Sequence, residues 1–248
     1  MSVRLPALCP RPAAGDAEAM ELVHPSHSPV QAIVFDLDGV LIDSEELWDE
    51  VRRSLAAEHG LAWIPEATRA MQGMSTPEWA AYLTGTVGIP GTDADVSNLV
   101  VSRLAHMYEQ RLPLLPGAIE AVAALAEHWP LGLASSSPRR LIEAVLGAAG
   151  LADYFAVSVS TEEVEAGKPS PAVYLRATEL LGVEPTRTIA VEDSSNGIRA
   201  AVDAGLIAVA VPNEAFPPSA DALALATATV DRVSEVTPHL VAGLIFRG

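Results

Sequence analysis

Short apolar runs alternate with amphipathic stretches along most of the chain after residue 30. Apolar runs bounded by polar or turn residues predict buried strands, here at 33–37, 131–134, 156–159, 188–191 and 207–211. Helices are predicted between or beside these runs at 116–128, 138–149, 171–181 and 195–204. Strands separated by helices pair in parallel. The pattern therefore predicts an α/β fold in which helices cover both faces of a parallel sheet.

A block between the first two strands has helical periodicity only. Its helices are predicted over 44–59, 66–73, 76–85 and 93–110. Ser44 is the predicted N-cap of the first one, because an acidic turn follows it. Since the block interrupts the sheet after the first strand, we expect it to lie above the carboxyl edge as a lid. The predicted domains are a helical cap at 46–112 and a core formed by 29–45 and 113–248.

Residues 1–28 are predicted to be a disordered tail. Four prolines follow Arg4, and no continuous apolar stretch has the length of a secretory signal. Met20 is an alternative start of translation. The single cysteine, Cys9, lies in this tail and has no internal partner for a disulfide. A reducing compartment, the cytoplasm, is therefore the expected location.

The charge of the chain excludes some classes of partner. The formal net charge is -17 at pH 7 and the sequence pI is about 4.6. An acidic surface of this kind repels phosphate backbones, so nucleic-acid binding is not expected. No run of about 18 apolar residues occurs, so no membrane span is expected either. Of the 15 basic residues, 14 are arginine and one is Lys168, so a small anionic substrate would need a local cation.

Polar side chains follow several predicted strands at the point where each strand ends. They are Asp36, Asp38, Ser135, Glu192 and Asp193, with Lys168 in a loop before a later helix. The carboxyl ends of parallel strands meet at one edge of a sheet, where ligands bind. We therefore expect these groups to converge on one site.

Four carboxylates at one edge repel one another unless a cation lies between them. Mg²⁺ takes one or two protein carboxylates together with water and phosphate oxygens, and Lys168 adds a fixed positive charge. A carboxylate between these cations stays ionised and can attack phosphorus, while a second one can protonate the leaving oxygen and then deprotonate water. Ser135 and the N–H groups at the start of the next helix can hold phosphate oxygens. The pattern indicates phosphoryl transfer with Mg²⁺ as the cofactor.

Four segments carry a resemblance to a known family. In chain order they are DLDGVLIDSEELW, LASSS, GKPSP and VEDSSNGIRAA. Together they resemble the ordered motifs of the haloacid-dehalogenase-like hydrolase superfamily, over roughly residues 31–212. The spacing of the first two leaves room for the small helical cap of the β-phosphoglucomutase-like and phosphatase branch. The resemblance implies a Rossmann-like core and a monomer.

The resemblance also implies roles for the acidic residues. Asp36 would be the nucleophile and Asp38 the general acid and base. Mg²⁺ would be held by Asp36, the backbone carbonyl of Asp38 and Asp193, with Glu192 close by. The implied contacts with the substrate are Ser135, Ser136, Lys168, Trp48, Gly73 and Thr76.

The leading hypothesis is a phosphatase that acts on a small phosphorylated metabolite, such as a sugar or polyol phosphate. Dehalogenases and P-type pumps resemble the first motif but lack a carboxylate at the position of Asp38. A phosphonatase needs a lysine in its cap, and the predicted cap contains none. A catalytically inactive binding protein would be expected to have lost at least one of Asp36, Asp38, Lys168 and Asp193.

A sugar phosphomutase is the closer alternative. The β-phosphoglucomutases have a histidine ten residues after the acid/base aspartate, and a lysine and an arginine around a cap glycine. The corresponding residues here are Trp48, Gln72 and Thr76. A mutase must hold a second phosphate, so this departure favours hydrolysis. Other cap cations can substitute, namely Arg52, Arg53 and Arg69.

Overall fold

Six parallel strands form one sheet in the order β3-β2-β1-β4-β5-β6. The structure is a computed structural model, which describes residues 30–71, 74–213 and 217–244. The strands are β1 (Ala32–Phe35), β2 (Leu131–Ser135), β3 (Phe155–Ser160), β4 (Thr188–Glu192), β5 (Ile207–Ala210) and β6 (Ala228–Thr229). All five predicted strands are confirmed, and the fold is α/β and Rossmann-like. From β1 the sheet extends through β2 and β3 on one side and through β4, β5 and β6 on the other. This reversal of strand order places a crevice at the carboxyl ends of β1 and β4.

Ten α-helices surround the sheet in the described part of the chain. They are α1 (Glu45–Glu58), α2 (Ala67–Ala70), α3 (Thr76–Tyr82), α4 (Asp93–Gln110), α5 (Ala118–Ala126), α6 (Arg139–Ala149), α7 (Ala172–Leu181), α8 (Ser195–Asp203), α9 (Ala220–Leu223) and α10 (Pro238–Gly243). None of these helices combines the length and the apolarity that a membrane crossing requires.

Each face of the sheet has its own hydrophobic core, because side chains alternate along a strand. In β1, Ile33 and Phe35 belong to the larger cluster, which also contains buried residues of α1, α3 and α4. Val34 points to the opposite face, where a second cluster includes residues of α7 and α8. The inserted helices are thus joined to the sheet by continuous apolar packing. The predicted boundaries of the cap, 46–112, stay a prediction.

The predicted helix at 76–85 differs from the structure. Helix α3 ends at Tyr82 and continues as a π-helical turn at Leu83–Val87, which Gly88 ends with a φ of +87°. Threonine and glycine in this stretch are poor helix formers. The hydroxyl of Thr84 also donates to the carbonyls of Ala80 and Ala81, at 3.3 and 3.2 Å, as threonines do inside helices. The predicted helix at 66–73 is observed only as α2, and residues 72–73 lie outside the described residues.

The first strand also ends earlier than expected. The apolar run 33–37 predicted a strand through Leu37, but β1 stops at Phe35. The chain then turns back, with Gly39 at a φ of +82°, a backbone conformation that favours glycine. Asp36 and Asp38 therefore lie in the loop directly after β1 rather than within it. This loop brings both carboxylates over the end of the sheet.

Candidate active site

Strand register brings the predicted acidic residues to one level of the sheet. Phe35 at the end of β1 pairs with Leu133 of β2 and Val191 of β4. One residue later come Asp36, which begins the loop after β1, and Glu192, which ends β4. They therefore lie side by side at the carboxyl edge, in the crevice between β1 and β4 where ligands bind in sheets of this order.

Lys168 joins these two carboxylates. Its Nζ donates to Asp36 Oδ1 at 2.8 Å, to Glu192 Oε1 at 2.5 Å and to the carbonyl of Ala134 at 3.0 Å. The lysine side chain is only 4% exposed. Burial lowers the pKa of the Lys168 ammonium, but the charges of Asp36 and Glu192 outweigh burial and raise this pKa overall. The structure thus fixes a permanent positive charge against Asp36.

Glu192 is fully buried and accepts hydrogen bonds at both oxygens. The hydroxyl of Tyr174 donates to Oε1 at 2.6 Å, beside Lys168. The N–H of Asp193 and the hydroxyl of Ser194 donate to Oε2, each at 3.2 Å. Tyr174 was not among the predicted site residues, because its only signal in the sequence is a place on the inner face of a predicted helix. These contacts orient Glu192 beneath the cavity.

Asp36, Glu192 and Asp193 form an acidic cluster in which one carboxylate oxygen of each lies within 4.8 Å of the others. Burial raises the pKa of Asp36 to about 7; Lys168 opposes this shift and the charge of Glu192 adds to it. Burial also raises the pKa of Asp193 well above its usual value, and the charges of Glu192 and Asp36 add to that shift. A cation would reverse both effects. A cluster of buried oxygen donors fits a hard divalent ion such as Mg²⁺.

Mg²⁺ is expected to stabilise the protein more at high pH than at low pH. The pKa of Asp36 is about 7 in the folded, metal-free protein, against 3.8 for an ordinary aspartate. Protonation of Asp36 therefore stabilises the metal-free fold fully below about pH 3.8, and this contribution is lost as the pH rises through about 7. Metal binding needs the deprotonated carboxylates, so the increase in Tm caused by Mg²⁺ should be larger at about pH 8 than at about pH 5. Thermal unfolding at both pH values measures this. Asp193→Asn should lose most of the increase, and an equal increase in that variant would contradict the proposed site.

Asp38 is held at both oxygens by serine hydroxyls. Ser44 donates to Oδ1 at 2.5 Å and Ser137 donates to Oδ2 at 2.6 Å. Ser44 stands at the N-cap position of α1, as predicted, but its backbone is helical and its hydroxyl makes no cap hydrogen bond, because it donates to Asp38 instead. Ser137 is the last serine of the LASSS segment, and the sequence alone gives it no role of its own. The two serines fix the orientation of the Asp38 carboxylate.

The other predicted contacts with the substrate fall into three groups. Ser136 and Trp48 line the cavity above the acidic cluster. Ser135 is fully buried and accepts from the N–H of Ser137 at 3.0 Å, so within the described residues it lies behind the cavity wall. Thr76 is not among the described residues of the wall either. Gly73 lies outside the described residues.

The cavity measures about 750 Å³ and lies between the carboxyl edge and the inserted helices. Its core side includes Asp36, Asp38, Ser136, Ser137, Lys168 and Asp193. Its cap side includes Trp48, Arg52, Arg69, Met71, Met74 and Trp79. Carboxylates and Lys168 thus lie at one end, and indole rings with arginines at the other. The volume suits a small molecule larger than phosphate.

Two glycines allow the acidic residues to approach the backbone closely. A Cβ on Gly39 would lie 1.9 Å from Asp193 Oδ2, and a Cβ on Gly197 would lie 1.9 Å from both Glu192 oxygens. Contacts this short cannot be accommodated without movement. The first turn of α8 and the loop after β1 therefore fit around the carboxylates only because glycine occupies both positions.

We expect Gly197→Ala to displace Glu192 and to lower both stability and activity. Overpacking of a core costs about 1–3 kcal/mol, and here the displaced group also carries the contact with Lys168. Gly147→Ala in α6 is the matched control, because nothing lies within 4 Å of its added Cβ. Urea unfolding of both variants measures the change. Unchanged stability in Gly197→Ala would contradict the tight fit around Glu192.

Comparison with known proteins gives three kinds of similarity. A family model described as haloacid dehalogenase-like hydrolase matches residues 30–205. The chain is 36% identical over 189 residues to hexitol phosphatase B of Escherichia coli (strain K12), across 74% of this chain and 84% of that protein. It is 32% identical over 178 residues to a phosphorylated carbohydrates phosphatase of Thermotoga maritima, across 71% of this chain and 82% of that protein. The crystal structure of CbbY from Rhodobacter sphaeroides in complex with phosphate is similar, with a TM-score of 0.74, 30% identity and coverage of 84% of this chain and 96% of that one.

Proposed function

The chain belongs to the haloacid dehalogenase-like hydrolase family, and from this premise we propose that it is a Mg²⁺-dependent phosphatase that hydrolyses a sugar or polyol monophosphate through an aspartyl phosphate on Asp36. The curated relatives named above are phosphatases of hexitol phosphates and phosphorylated carbohydrates, which supports this substrate class. The cavity, with a charged end and an indole-lined end, supports a substrate with a phosphate and a carbon chain.

The contact between Lys168 and Asp36 carries the proposal. A buried ammonium 2.8 Å from Oδ1 favours the ionised carboxylate that attack on phosphorus requires. It also places a positive charge where the charge of the transferring phosphoryl group develops. In the first step an Asp36 oxygen bonds to phosphorus and the ester oxygen leaves. In the second step water attacks phosphorus and releases Asp36 together with inorganic phosphate.

Asp38 would carry the protons of both steps. In the first step its carboxyl group gives a proton to the leaving ester oxygen, and in the second its carboxylate takes a proton from water. The hydrogen bonds from Ser44 and Ser137 hold the carboxylate in one orientation for this exchange. Because Asp38 follows Asp36 by two residues in the same loop, both are fixed by the end of β1.

Asp36 and Asp193 are the proposed metal ligands, with Glu192 at the same cluster. When bound, Mg²⁺ would neutralise the carboxylates and the negative charge of the phosphate oxygens. Glu192 already accepts from Lys168, Tyr174 and Ser194, so its main task is to position Lys168 and the loop that carries Asp193. The predicted contribution of the Asp38 carbonyl stays a prediction.

A screen for phosphate release tests this function. Sugar and polyol monophosphates are incubated with Mg²⁺ and again after EDTA, and isomerisation of β-glucose 1-phosphate is followed in parallel. We expect Mg²⁺-dependent release of phosphate from a few monoesters. Isomerised sugar phosphate without release of phosphate would indicate a mutase, and turnover that persists after thorough chelation would contradict the proposed dependence on Mg²⁺.

A cytoplasmic location and a monomeric state stay predictions.

A further inference from the structure

Arg52 occupies an unusual place on the cap side of the cavity. It lies on α1 beside two indole rings, with its guanidinium carbon 4.6 Å from the ring centre of Trp48 and 5.2 Å from that of Trp79. The two rings are 5.6 Å apart and steeply inclined, at 68°. Arg52 is only 7% exposed, yet it lines the cavity. Cation–π contact with both rings attracts the guanidinium without using its N–H donors.

The hydrogen-bonding capacity of Arg52 is incompletely used. Its Nε is buried and has no partner, and no carboxylate in the described part of the chain lies within 4.0 Å of the guanidinium. Burial lowers the pKa of Arg52 to about 10, although Glu45 and Asp49 act in the opposite direction, so the group remains charged at neutral pH. A buried donor without an acceptor is costly, and no described protein group supplies an acceptor for Arg52 Nε.

Arg53, the next residue of α1, differs from Arg52 in its polar partners. Arg53, on the same helix, forms an ion pair with Asp49, donates to Thr68 at 3.4 Å and lies 5.5 Å from the ring centre of Trp63. Its side chain is about half exposed, at 51%. Both arginines line the cavity, but the fold supplies polar partners for Arg53 and leaves Arg52 with donor capacity to spare.

We propose that Arg52 is a specificity-determining residue that donates hydrogen bonds to a hydroxyl oxygen of the substrate's carbon chain, while the indole of Trp48 packs against the carbon-bound hydrogens. This inference rests on the proposed phosphatase function, since it places the phosphate at Lys168 and the carbon chain at the cap. It deepens that function by assigning recognition of neutral polyhydroxyl chains to one residue.

The surroundings of Arg52 favour a hydroxyl group over a second phosphate. Glu45 also lines the cavity, and its charge acts on Arg52. A hydroxyl group can accept from the guanidinium and donate to a carboxylate, so it suits both charges at once. A second phosphate would accept from Arg52 but would be repelled by Glu45 and could not donate to it. The predicted ligand is therefore a carbohydrate or polyol with a single phosphate.

The test compares two substrates in variants of Arg52. Sorbitol 6-phosphate has a hydroxyl-bearing chain, whereas acetyl phosphate joins the phosphoryl group to a two-carbon acetyl group that has no hydroxyl. Arg52→Met keeps the aliphatic stem beside the indoles and should lower kcat/KM for sorbitol 6-phosphate by about 10- to 100-fold, the effect of losing a hydrogen bond from a charged donor. Turnover of acetyl phosphate should stay within about twofold, because the phosphoryl end is unchanged. Arg52→Lys should recover part of the loss.

Arg103→Met is the matched control. Arg103 lies on α4, pairs with Glu58 at 2.6 and 2.7 Å and is not among the described residues that line the cavity. Loss of this exposed pair should change the turnover of neither substrate.

Three outcomes would contradict the account. Equal losses for both substrates in Arg52→Met and Arg52→Lys would overturn the inference but would not contradict the phosphatase function. A larger loss for fructose 1,6-bisphosphate than for sorbitol 6-phosphate would overturn recognition of a neutral hydroxyl. Failure of the wild type to release phosphate from any ester would contradict the proposed function itself.

Discussion

Asp36→Asn is expected to abolish phosphate release while leaving the fold intact. Removal of the nucleophile eliminates the covalent route, and a loss of about 10⁴-fold or more is typical when a nucleophile is removed. The amide oxygen can still accept from Lys168, which lies 2.8 Å from Oδ1 in the structure, so the loop after β1 should keep its position. Phosphate release in saturating Mg²⁺ measures the rate, and circular dichroism measures the fold.

Asp43→Asn provides the control for this substitution. Asp43 lies in the same loop, is exposed and is not among the described residues of the cavity wall. The change in charge and volume is the same, so activity close to that of the wild type is expected. Full activity in Asp36→Asn, measured beside this control, would rule out Asp36 as the nucleophile.

Asp38→Asn is expected to slow both chemical steps. Loss of a general acid and base costs about 10²- to 10⁴-fold. The amide can accept only at its oxygen, so one of the two serine hydroxyls that now donate to Asp38 must lose its acceptor or turn. Rapid-quench kinetics can separate the formation of the aspartyl phosphate from its hydrolysis.

The leaving group distinguishes the first step from the second. An ester with a good leaving group, such as p-nitrophenyl phosphate, needs less protonation, so Asp38→Asn should impair its first step less than that of a sugar phosphate. Hydrolysis of the aspartyl phosphate should be slowed equally for both esters, because the intermediate is the same. An equal loss in the first step for both esters would argue against proton transfer from Asp38.

The sheet and its acidic edge could be predicted because their signals are local. Each central strand is buried on both faces, so it appears as an unbroken apolar run. The charged residues that follow β1 and β4 contrast sharply with those runs. Strand β6 and helices α9 and α10 had no such signal, because β6 has two residues and the stretch after Val211 mixes alanines with polar residues. Strand β6 is placed by its pairing with β5, and α9 by its packing against α8.

Contacts between distant segments could not be predicted in this way. Ser137 meets Asp38 across 99 residues of sequence, and Lys168 meets Asp36 across 132. The motif order anticipated the second pair, but nothing in the local sequence distinguished Ser137 from its two serine neighbours. The contact of Arg52 with both Trp48 and Trp79 likewise requires α1 and α3 to bring the two indoles together, which helical periodicity does not specify.

Mapping the phosphoryl group on the protein tests covalent catalysis at Asp36 most directly. The wild type is mixed with sorbitol 6-phosphate and Mg²⁺, quenched in acid at a series of times and digested for mass spectrometry. We predict a hydroxylamine-labile phosphoryl group on the peptide that carries Asp36 during turnover, and none in Asp36→Asn. Release of phosphate while that peptide stays unmodified at every quench time, or a phosphoryl group on another residue, would contradict a mechanism through Asp36.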